Sequence, residues 1–245
     1  MSPAPARRVA LVTGAGVRLG RAIALERAAA GCDVAVHYRA SRDEAEQTAA
    51  EIRRFGVDAV AIRAELARPA ECERLVARVR EKLGRLDILV GSAANFVHLP
   101  FADTDAATWD EAMDVNARAN FLLARAAGPE LRRRRGRVVL ISDSAARATW
   151  KGYAAHTISK AALEAVVRVL ARQLAPEVSV NGVAPGTILA PASMPKATFR
   201  KIVAEIPMGR AGTPEEVAAA VGFFCDGPGF VTGQIMAIDG GRSLV

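Results

Sequence analysis

Cysteine is scarce in this chain: three residues, Cys32, Cys72 and Cys225, stand far apart. That spacing excludes a disulfide framework and the paired thiols of a zinc site, and an odd number of cysteines suits a reducing, cytoplasmic setting. No His, Cys or carboxylate cluster has metal-ligand spacing, so no metal is expected. No apolar run approaches the roughly 18 residues of a membrane span. The opening "MSPAPARR" lacks the apolar segment of a secretory signal. These absences predict a cytoplasmic protein with no membrane partner, and residues 1–6 read as a flexible N-terminus. Linkers, repeats and low-complexity segments are also missing, which predicts one domain over 1–245.

Acidic residues do not balance basic ones, and the net charge is +7. The one dense basic run, "RRRRGR" from Arg132 to Arg137, falls between a helix end and an apolar strand, where a solvated loop explains it. Acidic residues are interspersed elsewhere, so no nucleic-acid partner is expected. What is abundant is apolar sequence, 51% of residues, enough for a sizeable core.

Short apolar runs alternate with helical patterns along the whole chain. Strands are predicted at 7–14, 33–38, 57–64, 86–93, 136–142, 177–185 and 234–239. Helices are predicted from the first glycine loop to about Ala30, at 42–55, 69–83, 105–133, 152–174 and 214–225. The strands are continuous apolar runs, as in a parallel sheet covered on both faces. The fold class is therefore α/β: a Rossmann-type, doubly wound sheet of seven mainly parallel strands with helices on both faces. Ligands of such sheets bind beyond the strands' carboxyl ends. The loops to watch are 13–20, 37–42, 64–66, 91–96, 142–152 and 184–200.

The first of these, "TGAGVRLG", follows a strand and opens a helix. Gly14 and Gly16 allow close approach of a phosphate to backbone N–H groups at a helix N-terminus. The dinucleotide fingerprint would place glycine where Leu19 stands. At the second strand end, "HYRAS", no acid appears before Asp43, although an NAD site usually offers one there. Arg18, Arg39 and Ser41, with His37 beside them, suit a 2′-phosphate instead, so NADP(H) is the expected cofactor.

With these loops in hand, the chain resembles the short-chain dehydrogenase/reductase family over nearly its full length. The pieces that carry the resemblance are "TGAGVRLG", "VN" at 115–116, "SK" at 159–160, "VNGVAPG" at 180–186, "PMGRAGTPEEVA" at 207–218 and "FVTGQIMAIDGG" at 230–241. It is most similar to the pteridine reductase branch, in which the first loop reads T-G-x-x-x-R-x-G and an Asp takes the place of the usual catalytic serine. That place is Asp143 here.

The resemblance implies an NADPH-dependent reductase, and it assigns residues to the cofactor loop by loop. Gly14, Arg18 and Leu19 come from the first loop, and His37, Tyr38, Arg39 and Ser41 from the second. Glu65 and Leu66 follow the third strand, and Ser92 and Ala93 the fourth. Pro185, Gly186 and Ile188 follow the sixth, and Lys160 binds the nicotinamide ribose. Phe96 falls where that branch stacks the pterin ring, and residues 187–206 correspond to a substrate loop. A homo-oligomer, dimer or tetramer, is also implied, the long helices 105–133 and 152–174 resembling those that pair family subunits. Two departures stand out. The family's N-N-A-G is "GSAA" at 91–94, and its catalytic tyrosine is His156.

Two side chains could work with Lys160. Tyr153, seven residues earlier, is about 10 Å of helical rise away, against about 6 Å for His156. Tyr153 is rejected as a positional substitute and expected to line the substrate pocket. Imidazole titrates near neutral pH. Lys160 disfavours the imidazolium and Asp143 favours it. Asp143 and His156 are therefore expected to share the proton-donor function, with Lys160 as cofactor anchor and Asn116 in the proton relay. His98 reads as a loop residue near the pocket mouth. Three functions stay open: a pteridine reductase, a 3-oxoacyl-acyl-carrier-protein or general carbonyl reductase, and a catalytically impaired NADP-binding sensor.

Overall fold

A computed structural model describes residues 7–191 and 194–245. The predicted flexible 1–6, and residues 192 and 193 of the predicted substrate loop, lie outside the described residues. Seven strands form one parallel sheet: β1 (Val9–Val12), β2 (Asp33–Tyr38), β3 (Ala59–Arg63), β4 (Ile88–Gly91), β5 (Arg137–Ile141), β6 (Ser179–Pro185) and β7 (Ile235–Ile238). Their spatial order is β3-β2-β1-β4-β5-β6-β7. The order reverses between β1 and β4, paired through Leu11 and Leu89, and the loops beyond that switch point diverge to leave a crevice.

Alternation along each strand splits the core into two layers. Val9, Leu11, Leu89, Val138 and Leu140 face helices α3 (Pro69–Leu83), α5 (Ala119–Arg134) and α7 (Ala154–Leu174). Ala10, Val12, Ile88, Val90 and Val139 face α1 (Arg18–Ala29), α2 (Arg42–Arg53) and α9 (Pro214–Asp226). Both sheet faces are thus covered, which is why the strands lack polar alternation. Thr213 and Glu216 form a reciprocal capping box, with Pro214 in the first turn, that starts α9.

Two sequence expectations are corrected. The predicted helix 105–133 is α4 (Ala106–Met113) followed by a π-helical turn, Asp114–Arg118, and then α5. The turn keeps the segment helical, so apolar periodicity does not reveal it. The segment 187–206, read as a loop, contains helix α8 (Lys196–Ala204), which begins just after Pro195. Three prolines at and beside this segment hide it. A short helix, α6 (Ala145–Ala148), lies between β5 and α7.

Candidate active site

Beyond the carboxyl ends of β1 to β6 lies a cleft of about 840 Å³. Every residue the resemblance assigns to the cofactor borders it, as do Asp143, His156, Phe96 and Tyr153, whereas Gly16 packs against Ser41 and Ala45 instead. Asn116 does not.

The nucleotide end is built on Gly14. Its φ is +65°, and a side chain there would stand 2.9 Å from the Ala93 Cα, so only glycine lets the first loop pack against the loop after β4. Thr13 secures the same junction by accepting the Ser92 and Ala93 N–H groups at 2.9 and 3.0 Å. His37 is corrected from phosphate neighbour to loop tie. Its Nδ1 accepts the Gly14 N–H at 3.1 Å and its Nε2–H donates to the Ala64 carbonyl at 3.2 Å. Burial holds its pKa down to about 4, so it offers a phosphate neither a free donor nor a charge. Arg18 is exposed and donates to the carbonyls of Leu189 and Ala190 at 3.2 to 3.4 Å. Arg39, also exposed, lies 3.6 Å from Glu111.

These residues fit a dinucleotide phosphate: a turn with glycine at 14 and 16 before the N-terminus of α1, flanked by two exposed arginines. The β2 end contributes Tyr38, Arg39, Ala40 and Ser41 to the cleft and no acid. That composition suits a 2′-phosphate better than a bare ribose hydroxyl.

The chemical end is built on the first turns of α7. Tyr153 is the helix's N-cap residue, so it lies at the helix mouth rather than over Lys160. His156 is 3% exposed and Lys160 is 3% exposed, one turn apart on the inner face. The His156 Nδ1 is 3.1 Å from the Asn95 carbonyl and its Nε2 is 3.4 Å from Asp143 Oδ2, the latter at the long end of hydrogen-bond reach. Both ring nitrogens therefore face acceptors. A neutral imidazole carries one N–H and satisfies one of them, whereas an imidazolium satisfies both. Asp143 is aimed by its other oxygen, which accepts the Ala145 N–H at 2.7 Å.

Lys160 donates from Nζ to the Ile141 carbonyl at 2.7 Å. Burial pushes its pKa down to about 8, and the charge of Asp143 partly opposes that change.

Asn116, expected in the proton relay, is fully buried behind this wall. Its Oδ1 accepts the Asn95 N–H at 2.7 Å, and its Nδ2 donates to the Asn95 carbonyl at 3.0 Å and to Ser159 Oγ at 2.9 Å. It is thus a positioning residue that fixes the very carbonyl His156 faces. The π-helical turn that carries it is a geometry often found beside functional sites. The missing family asparagine at 91 also has a steric reason. A side chain on Gly91 would collide with the Asn120 amide, which occupies that space.

Phe96 packs edge-on to His156, with ring centroids 4.7 Å apart, and tilted on Tyr153 at 4.9 Å. Two residues the sequence reading missed complete the wall, Trp150 and Arg242. Trp150, one of two tryptophans, sits in a loop already marked for attention. Nothing in the sequence placed the C-terminal Arg242 there.

Comparisons with known proteins bear on the family. Residues 14–243 match the family model described as Enoyl-(Acyl carrier protein) reductase. The chain is 34% identical over 241 residues to a 3-oxoacyl-[acyl-carrier-protein] reductase of Synechocystis sp., covering 97% of each chain. It is 33% identical to an NADPH-dependent aldehyde reductase-like chloroplastic protein of Arabidopsis thaliana, covering 96% of this chain and 94% of the other. A crystal structure of a short-chain dehydrogenase/reductase from Burkholderia xenovorans superposes with a TM-score of 0.91 at 28% identity, covering 99% of this chain and 100% of that one.

Proposed function

The chain belongs to the short-chain dehydrogenase/reductase family of oxidoreductases, and we propose that it is an NADPH-dependent reductase of a small conjugated substrate, a pteridine foremost. One observation carries the reading: the cleft that joins the nucleotide loops also holds an imidazole flanked by a carboxylate and a carbonyl at the position of the family's proton donor. Gly14, Arg18, Arg39 and Ser41 would hold the cofactor's phosphates and Lys160 its nicotinamide ribose. When bound, the cofactor supplies hydride.

The chain's own residues supply the rest. His156, its ring nitrogens facing Asp143 and the Asn95 carbonyl, donates a proton to the substrate atom that gains electron density. Phe96 and Tyr153 exclude water and offer a flat ring a stacking face. Helix α8 would close over the substrate, since Phe199 and Ile202, with Met194 just before the helix, border the same cleft. Phe121 on α5 and Ile158 and Val169 on α7 leave apolar side chains exposed, which supports a homo-oligomer.

The pteridine reading rests on Arg18, Asp143 and Phe96. The names of the relatives and "PMGRAGTPEEVA" favour a second reading, a 3-oxoacyl thioester reductase. The deciding assay follows NADPH oxidation at 340 nm with dihydrobiopterin, dihydrofolate and an acetoacetyl thioester as acceptors, across pH 4.5 to 8. The expected result is pterin turnover that falls as the pH rises, as a step needing a proton donor requires. Asp143→Asn should lose roughly 10²-fold in turnover, within the usual range for general acid catalysis. Full activity in that variant, with an unchanged pH profile, defeats the proposed donor. Silence on every acceptor, with NADPH binding intact, identifies a nucleotide sensor.

A further inference from the structure

Arg242 follows β7 in the sequence "DGGRSL", and the backbone there is bent to send it inward. Gly240 and Gly241 have φ of +64° and +87°, a conformation natural to glycine. Asp239 locks the turn by accepting the Gly241 and Ser243 N–H groups, each at 2.9 Å. The guanidinium carbon then lies 4.4 Å over the Trp150 ring, and one nitrogen donates to Thr187 Oγ1. Trp150, Thr187 and Arg242 all border the cleft that holds Asp143, Tyr153 and His156.

Among the other arginines drawn into the fold, Arg8 pairs with Asp226, Arg27 with Glu26 and Asp226, and Arg85 with Asp87, while Arg137 donates to the Arg135 and Gly136 carbonyls. Among the described residues Arg242 has no carboxylate within ion-pair distance. Of its acidic neighbours, Asp239 is committed to the turn and Asp143 to Ala145 and His156, while Glu205 at the end of α8 acts on it through charge alone, with no ion-pair contact. Burial lowers its pKa, and the charges of Glu205, Asp143 and Asp239 only partly oppose this. A half-desolvated cation held by a stacked ring and a hydroxyl, with free donors facing a substrate cleft, is complementary to an oxyanion.

We infer that Arg242 is a specificity-determining residue and that the substrate of this site carries a carboxylate, bound by Arg242 at the Trp150 side of the cleft. This rests on the reductase reading of the cleft and narrows it to acidic acceptors: a pteridine with a carboxylate-bearing tail rather than a neutral one, or an oxo acid rather than its ester.

The test separates the two levels. Calorimetric titrations use protein saturated with NADP⁺, which cannot deliver hydride. They compare dihydrofolate with its glutamate diester, and acetoacetate with its methyl ester, in wild type, Arg242→Gln and Arg242→Lys. For at least one pair the acid should bind wild type about tenfold more tightly than its ester, the worth of one charge-assisted hydrogen bond. That preference should vanish in Arg242→Gln and survive in part in Arg242→Lys. Because each preference is a ratio within one variant, general damage to the pocket cancels. Equal affinity for acid and ester in both pairs, a preference that persists in Arg242→Gln, or binding of none of the four overturns the assignment. Acid-selective binding without any NADPH oxidation leaves the assignment standing and removes the reductase reading.

Discussion

Lys160 sets function against stability. It is almost wholly buried, and burial pushes its pKa down to about 8 from 10.5 for a free lysine. Each tenfold loss of proton affinity is worth about 1.4 kcal/mol, so holding that charge costs the folded state on the order of 3 kcal/mol near neutral pH. The unfolded chain keeps the proton until about pH 10.5, so between 8 and 10.5 the unfolded state binds more protons and stability rises with pH. Below 8 the penalty is constant. Lys160→Met should therefore lose nucleotide-dependent activity yet unfold at higher urea than wild type at pH 7, and that advantage should shrink by pH 10. A variant less stable than wild type at pH 7 would mean that the bond to the Ile141 carbonyl outweighs the buried charge.

At the scale of elements, the turn between β1 and α1 decides whether a nucleotide can enter. Replacing Gly14 by alanine puts a Cβ at positive φ, which costs about 1–2 kcal/mol, and drives it against the Ala93 backbone. The loop after β4 must then move away, and Ser92 and Ala93 lose their shared bond to Thr13. Fluorescence titration of Gly14→Ala should show NADPH affinity reduced by more than tenfold while the circular-dichroism spectrum stays that of wild type. Elements also mark where periodicity is informative. α3 has the bounds its sequence predicts, because its apolar stripe, Pro69 start and Gly84 end agree. The π-helical turn is invisible in the sequence, because it widens the helix locally without changing the polar-to-apolar pattern.

For the whole molecule, the sheet is the common wall of both core layers, and its central strands bear most of the load. Leu89 on β4 is fully buried among α3 and α5 side chains. Leu89→Ala should destabilise the protein by about 2–5 kcal/mol, read as a lower urea midpoint with an unchanged slope. Leu89 does not border the cleft beyond the strands' carboxyl ends, so residual activity at low temperature should survive this loss.

The sequence by itself determined the order of strands and helices, the parallel sheet and the glycine turn. Those follow from local rules: continuous apolar runs, capping residues, and backbone conformations open to few side chains. It also brought Asp143, His156 and Lys160 together, because two of them share one helix face and the third lies in the loop just beyond β5. Only the tertiary structure decided the rest. His37 became a loop tie because two backbone groups from different connections met its ring. Asn116 withdrew behind the wall because the π-helical turn aimed it at Asn95. Arg242 reached Trp150, 92 positions away in the chain, because two glycines and Asp239 turned the segment after β7 back into the cleft. Such contacts arise from the meeting of distant segments, and no periodicity or spacing along the chain encodes them.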